Sequence, residues 1–271
     1  MQTSSWLISI ARRGPACPGW VGVLVLLATM AGGGCERSPQ GVPAATAMAT
    51  PALDEDLAAI FAMIADRACG PARIRLRRLL DEGDVRPETT FLFGLSYHRQ
   101  RRYGTAEPFL DEASMMSPVY PPTWHFLGWS RWYLGDVDGA VEAWQFHARL
   151  DPSEGDTRFA LGLAAMERGD VDHATESFHE AIALQKQRTN RADGVAKAQI
   201  RLAELAAERG DLQTARELME RALKTTPGYW EGHYRLSIIS RQLGDDVAAD
   251  SAMATFERLR ATGNPSTRFP Q

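Results

Sequence analysis

Residues 121–154 read PPTWHFLGWSRWYLGDVDGAVEAWQFHARLDPSE, and the pattern of this stretch decides the fold. A shift of the chain by 34 residues superimposes positions of the same kind: Leu127-Gly128 on Leu161-Gly162, Ala140 on Ala174, and Trp144 on Phe178. The pattern is also present one period upstream, at Phe93-Gly94 and Ala106. It returns after seven extra residues at Leu202-Ala203 and again at Leu236-Ser237. The chain is therefore an internal repeat with a period of 34 residues.

Each repeat unit is predicted to be a hairpin of two helices. An apolar pattern of helical period continues for about 14 residues and then stops at a Gly-Asp pair, at Gly135-Asp136, Gly169-Asp170, Gly210-Asp211 and Gly244-Asp245. Glycine permits the left-handed conformation that ends a helix, and the aspartate that follows can cap the next one. Pro118, Pro152 and Pro227 are placed to end the second helix of their units.

These features together resemble the tetratricopeptide repeat. The resemblance implies an all-α fold, a right-handed superhelical solenoid of antiparallel helix hairpins in which each hairpin buries its apolar face against its neighbours. We assign five repeats, at 87–120, 121–154, 155–188, 196–229 and 230–263. A degenerate hairpin is expected at 53–86, and Arg101-Arg102 replaces the Gly-Asp pair in the first repeat. The seven extra residues between the third and fourth repeats are expected to lengthen the flanking helices.

The N-terminal segment 1–35 reads as an export signal. Arg12 and Arg13 precede an apolar run of 11 residues from Val21 to Ala31, which is short for a membrane span. The residues that end at Cys35 resemble the lipobox of bacterial lipoproteins, which implies acylation of Cys35. Cleavage by the ordinary signal peptidase and an uncleaved anchor remain open. Residues 36–52 are rich in Pro, Ala, Ser and Thr and are expected to form a flexible tether, and 264–271 a disordered tail.

Charge and cysteine content restrict the class of partner. The chain has 30 basic and 34 acidic residues, a net charge of −4. Removal of the export signal takes away two arginines and no acid, which makes the net charge −6 and argues against nucleic acid as a partner. Cys69 is then alone in the folded part, so no disulfide is expected within it, and we predict that it is a packing residue.

A partner-binding strip is predicted on one face of the first helices. In the repeat family this face lines the concave groove, and here it is unusually apolar for a solvated surface. The predicted binding residues are Phe91, Leu95, His98, His125, Trp129, Trp132, Phe159, Leu163, Met166, Tyr234 and Ile238. Packing of the same side chains inside the protein is the alternative. The lysine and asparagine pattern with which such domains clamp a C-terminal carboxylate is missing.

The sequence predicts binding and no catalysis. It contains no phosphate-binding loop, no HExxH zinc motif and no nucleophile elbow, so no cofactor or metal is expected. His98 and His125 could approach each other across adjacent helices, but a metal site would need further ligands. The expected function is a scaffold of the bacterial cell envelope, lipid-anchored and facing the periplasm, that holds a protein or peptide partner of unknown identity. A soluble periplasmic protein and a carrier of a lipid or apolar small molecule are the alternatives.

Overall fold

The computed structural model describes residue 48 and residues 50–187 and 192–262. The predicted export signal, Cys35, most of the tether and the tail at 264–271 lie outside these residues. The described part contains twelve helices and no strand: α1 Glu55–Ala65, α2 Cys69–Asp81, α3 Pro87–His98, α4 Tyr103–Met115, α5 Pro122–Tyr133, α6 Val137–Leu150, α7 Gly155–Glu167, α8 Val171–Lys186, α9 Ala192–Glu208, α10 Leu212–Thr225, α11 Trp230–Gln242 and α12 Asp246–Ala261. The all-α prediction is confirmed.

Consecutive helices pair as hairpins, and each hairpin contacts the next one along the chain. The most extensive contacts are α3 with α4, α5 with α6, and so on to α11 with α12, followed by those between successive hairpins, whereas α1 contacts α2 less extensively. First helices of neighbouring hairpins also touch, as α3 does with α5. Burial is therefore local along the chain, as expected of a solenoid.

The turn inside each hairpin has the conformation that the Gly-Asp pairs predict. Gly135, Gly169, Gly210 and Gly244 have φ values of +84°, +72°, +82° and +79°. The aspartate after each glycine then caps the second helix, as where the backbone N–H of Gly139 donates to Asp136 at 2.9 Å. Arg67 and Arg101 occupy the same turn position in the first two hairpins and also have positive φ, +64° and +59°.

Small residues of the first helices allow the two helices of a hairpin to approach closely. A Cβ atom placed on Gly128 would lie 2.4 Å from Nε1 of Trp144, and one on Gly162 would lie 2.6 Å from Cε1 of Phe178. Gly94 faces Leu110 in the same way, at 2.8 Å from Cγ. Atoms in contact normally lie about 3.5–4.0 Å apart, so only glycine fits these positions without displacing its neighbour.

The N-terminal hairpin packs onto the first repeat. Leu57, Ile60 and Ile64 of α1 are buried in one cluster with Leu92 and Leu95 of α3. Cys69 is buried at the start of α2, as predicted for a packing residue.

Two further features differ from simple repetition. The backbone N–H of Met48, inside the predicted tether, donates to the carbonyl of Leu150 at 2.8 Å. The extra residues between the third and fourth repeats lengthen α8 and α9 to 16 and 17 residues, so α9 begins at Ala192, before the expected start of its repeat at 196. No helix in the part of the chain described is long and apolar enough to cross a membrane.

Candidate functional site: a groove along the first helices

One groove follows the first helices of the array, from Ile64 of α1 to Glu231 of α11. Its volume is about 1330 Å³, which exceeds that of a typical drug-sized pocket, about 300–1,000 Å³. Every odd-numbered helix from α1 to α11 contributes lining residues. The groove is thus a product of the repeat, because the corresponding face of each first helix opens onto it.

Seven of the predicted binding residues line this groove: His98, His125, Trp129, Trp132, Phe159, Leu163 and Met166. They come from α3, α5 and α7, the first helices of three successive repeats. Their side chains are neither fully buried nor fully exposed. A partner that entered the groove would therefore meet apolar surface contributed by several repeats. Whether these residues bind a partner stays a prediction.

Phe91 and Leu95 do not line the groove, which corrects their predicted position. They are 2% and 0% exposed and belong to the cluster that α1 helps to close. The ring of Phe91 also packs against Tyr120 and Phe126, at centroid distances of 5.0 and 5.8 Å. Because these neighbours cover them, Phe91 and Leu95 stabilise the fold and cannot contact a partner in this conformation.

Tyr234 and Ile238 of α11 are exposed but also lie outside the groove lining. Their exposed fractions are 45% and 41%. The ring of Tyr234 packs against Phe256 of α12, at a centroid distance of 5.3 Å. These two residues therefore form a separate exposed surface on the last hairpin.

Trp129 and Trp132 serve both the groove and the core. Their rings pack against the fully buried ring of Trp144, at centroid distances of 5.1 and 5.8 Å. Both tryptophans also line the groove. Partner binding and internal packing, the two roles considered for these residues, are therefore compatible with each other. Removal of either ring is expected to disturb the packing of Trp144.

The two groove histidines are held by hydroxyl groups of the next repeat. Nδ1 of His98 lies 2.9 Å from the hydroxyl of Ser130, and Nδ1 of His125 lies 3.1 Å from that of Thr157. Burial, assisted by the positive charge of Arg99, lowers the pKa of His98 to about 4, so this ring is neutral at pH 7. Within the described residues no three His, Cys, Asp or Glu side chains are placed to hold a metal ion.

A second set of groove residues, at the hairpin turns, is not predicted by the helix-face pattern. Tyr103 and Tyr133 stack at a centroid distance of 4.3 Å and an interplanar angle of 19°. Burial raises the pKa of both phenols, and the charge of Arg101 opposes that effect. Arg67 and Arg99 also line this part of the groove. The replacement of the Gly-Asp pair by Arg101-Arg102 is the feature of the sequence that points to this second set of groove residues.

The opposite part of the groove has acidic and basic groups that compensate each other. Nε2 of Gln185 donates to the carboxylate of Asp156 at 2.8 Å. Burial lowers the pKa of Lys197, while the charges of Asp156 and Asp193 raise it. Arg201 pairs with Glu204 at 2.8 Å. Basic charge without such compensation is therefore a property of the end near α1 and α3.

Comparison with known proteins agrees with this architecture. The family model described as "Tetratricopeptide repeat" matches residues 127–190 and 200–265. No curated protein sequence matches the chain.

Solved structures share the fold at low sequence identity. A chain of the APC/C hetero-tetramer Cut9–Hcn1 aligns with 80% of this chain at 20% identity and a TM-score of 0.61, and this chain spans only 41% of its length. PilF of Pseudomonas aeruginosa aligns over 76% of this chain and 90% of its own, at 13% identity and a TM-score of 0.66. For the C-terminal part of a TPR repeat-containing protein from Cytophaga hutchinsonii, the coverages are 78% and 81%, the identity 14% and the TM-score 0.58. Identities this low establish the fold alone.

Proposed function

Because this chain is a tetratricopeptide-repeat protein, we propose that it is a non-catalytic scaffold that holds a segment of a partner protein in the groove between α1 and α11. The repeat fold is that of a protein-interaction scaffold. The observation that carries the more specific proposal is the groove itself, with a volume of about 1330 Å³ and lining residues from six first helices. A peptide segment can follow such a surface from one repeat to the next.

The character of the lining favours a peptide over an apolar small molecule. Aromatic rings such as Trp132, Tyr133 and Phe159 line the groove together with charged side chains, including Arg101 and Glu167. A site for a lipid chain would be lined predominantly by apolar groups, because buried charges lose their hydration without compensation. A peptide supplies both apolar side chains and polar groups, so it satisfies both kinds of lining residue.

Photocrosslinking from single positions tests the groove proposal. Benzoylphenylalanine at position 132 or 166 replaces Trp132 or Met166 with another large apolar side chain inside the groove. Ile74 and Val247 are matched control positions, since they are 74% and 83% exposed and lie outside the groove lining. We expect one discrete protein adduct from the two groove positions and none from the controls. Adducts that form equally at all four positions, or a lipid adduct in the groove, would contradict the proposal.

We further propose that the scaffold acts in the bacterial cell envelope, anchored by acylation of Cys35 and facing the periplasm. The lipobox-like sequence before Cys35 supports this proposal, and the tether residues have no apolar face of their own. Cys35→Ser should move the protein from the membrane fraction to the soluble fraction, whereas Cys17→Ser should not. Unchanged fractionation of Cys35→Ser, with no lipid mass on the parent protein, would refute the anchor.

A further inference from the structure

Two arginines occupy a backbone position that the rest of the array reserves for glycine. Residues 67, 101, 135, 169, 210 and 244 are equivalent turn positions with positive φ, and the last four are glycine. The first two are Arg67 and Arg101. The left-handed conformation brings the Cβ of an ordinary residue close to its own backbone, so arginine is less stable here than glycine. Residues held in such conformations concentrate at functional sites.

Both arginines line the groove, together with Arg99 of the same turn region. All three side chains are exposed, and none forms an ion pair with any residue in the described part of the chain. Several other arginines of the array do form ion pairs, as Arg86 does with Asp84 at 2.6 Å and Arg131 with Asp111 at 2.7 Å. The three groove arginines are therefore three uncompensated positive charges at one end of the groove.

Aromatic residues lie near two of these three arginines, Arg99 and Arg101. The charge of Arg101 acts on the stacked phenols of Tyr103 and Tyr133, and that of Arg99 acts on His98. His98 is neutral at pH 7, so the positive charge at this end comes from the arginines and does not vary near neutral pH. A guanidinium group binds a carboxylate with two parallel hydrogen bonds, and its planar shape also stacks on aromatic rings.

We propose that Arg67, Arg99 and Arg101 bind carboxylates of an acidic partner segment whose apolar side chains lie on the neighbouring aromatic surface of the groove. This inference rests on the proposed function and deepens it, because it names the chemistry of the partner. It also gives the bound segment a direction. Its acidic part lies at the end formed by α1 and α3, since Asp156 at the other end faces the compensating charge of Lys197.

Charge favours a protein segment over an anionic membrane or a nucleic acid. The whole chain has a net charge of −4, so a large polyanion is repelled by most of its surface. The three arginines open onto a groove that also contains the rings of Phe126 and Trp129. A short acidic segment reaches the arginines and these rings together, whereas a flat membrane surface does not enter a groove.

Glycine substitution separates binding from stability, because the two effects have opposite signs. Arg67→Gly combined with Arg101→Gly restores the turn residue of the other repeats, so the melting temperature should stay equal or rise. The same double variant should bind an acidic ligand at least about tenfold more weakly, as expected when charge-assisted hydrogen bonds are lost. Arg75→Gln is the control for loss of an arginine outside the groove, because Arg75 is exposed on α2 and is not among the lining residues.

The probes are three pools of labelled 12-residue peptides that share leucine, phenylalanine and tryptophan positions. The remaining positions carry Asp and Glu in the first pool, Asn and Gln in the second, and Lys in the third. Fluorescence anisotropy should show that the full chain prefers the acidic pool, that added salt weakens this preference, and that the double glycine variant loses it while Arg75→Gln keeps it.

Other results would contradict either the arginine site alone or the peptide-binding function as well. If all pools bind equally, or if the double variant keeps the acidic preference, the arginine site is wrong while the groove proposal stands. If no pool binds, the proposed peptide-binding function fails with it. If vesicles of phosphatidylglycerol bind through these arginines and acidic peptides do not compete, the ligand is a membrane surface and the inference is wrong.

Discussion

Gly128→Ala tests the close helix contact on which each hairpin depends. The added Cβ would lie 2.4, 2.5 and 2.8 Å from Nε1, Cδ1 and Cε2 of Trp144. Normal contact distances are about 3.5–4.0 Å, so the indole ring would have to move by about 1 Å. That ring is fully buried, and its N–H donates to the carbonyl of His125 at 3.3 Å. Movement of Trp144 therefore disturbs both the packing and this hydrogen bond.

Two opposing terms determine the free energy of unfolding of this variant. Alanine is favoured over glycine inside a helix by about 1 kcal/mol. Overpacking a filled core costs about 1–3 kcal/mol, and weakening a buried hydrogen bond adds about 1 kcal/mol. The expected net effect is a destabilisation of about 2 kcal/mol, which corresponds to a decrease of roughly 4–8 °C in melting temperature for a domain of about 200 residues.

Thermal melting followed by circular dichroism, with tryptophan fluorescence, measures this effect. Gly70→Ala is the matched control, because Gly70 is also helical and a Cβ there would have no neighbour within 4 Å. Gly128→Ala with Trp144→Leu should recover part of the loss in a double-mutant cycle, since leucine is the partner of Gly94 in the first repeat. A Gly128→Ala protein that melts at or above the parent temperature would refute the packing argument.

Three further outcomes are expected. Asp136→Ala should lower the unfolding free energy by about 1 kcal/mol in urea denaturation, because it removes the cap on Gly139 N–H, and an unchanged midpoint would contradict this. The pKa of His98 is about 4 in the folded protein and 6.5 in the unfolded chain, so its contribution to the free energy of unfolding is fully present above pH 6.5 and decreases as the pH falls towards 4. The free energy of unfolding should therefore decrease by about 2 kcal/mol between pH 7 and pH 5, and by less in His98→Gln. Trp129→Ala and Trp132→Ala should each lower the melting temperature, because both rings pack on Trp144, and parental melting would instead place them in the groove alone.

The fold was predictable because the repeat places the same kind of residue at the same position of each unit. The 34-residue period identified a column of glycines and a column of bulky apolar residues, and the structure shows that members of the two columns, such as Gly162 and Phe178, lie against each other. The Gly-Asp pairs likewise identified the turns, because positive φ and N-terminal capping each require particular residue types. Local sequence carries this information directly, so no knowledge of distant contacts was needed.

The residues of the binding strip were only partly predictable from the sequence. The position of a residue in the repeat determines which face of the helix it occupies, but it does not determine which other residues cover that face. Phe91, His125 and Phe159 are equivalent residues 34 apart. Two of them line the groove, but Phe91 is buried beneath Tyr120 and Phe126. Tyr120 lies in the loop before α5, which the helix-face pattern does not include. Residues of α1 belong to the same buried cluster. Burial at the end of an array thus depends on elements that do not follow the repeat.

The groove arginines were missed for a different reason. The helix-face pattern assigns residues of helices, whereas Arg67 and Arg101 lie in turns, where the expected residue has no side chain at all. Arg101 appears in the sequence as a departure from the repeat, in which glycine is the usual residue at this position. In a repeat protein, a departure at a position with a strict conformational requirement is therefore a signal of function as well as of degeneration.

The two arginine turns lie at one end of the array, and this location limits how far they lower the stability of the other hairpins. In a solenoid each hairpin is stabilised mainly by its neighbours, so a less stable turn at one end leaves the distant hairpins almost unaffected. An arginine in a left-handed turn costs about 1 kcal/mol relative to glycine. Placing Arg67 and Arg101 in the first two hairpins confines that cost to one end, while Gly135 and the later glycines keep the other turns stable. If Arg101→Gly raises stability and weakens capture of acidic peptides together, the turn residue is one at which binding opposes stability.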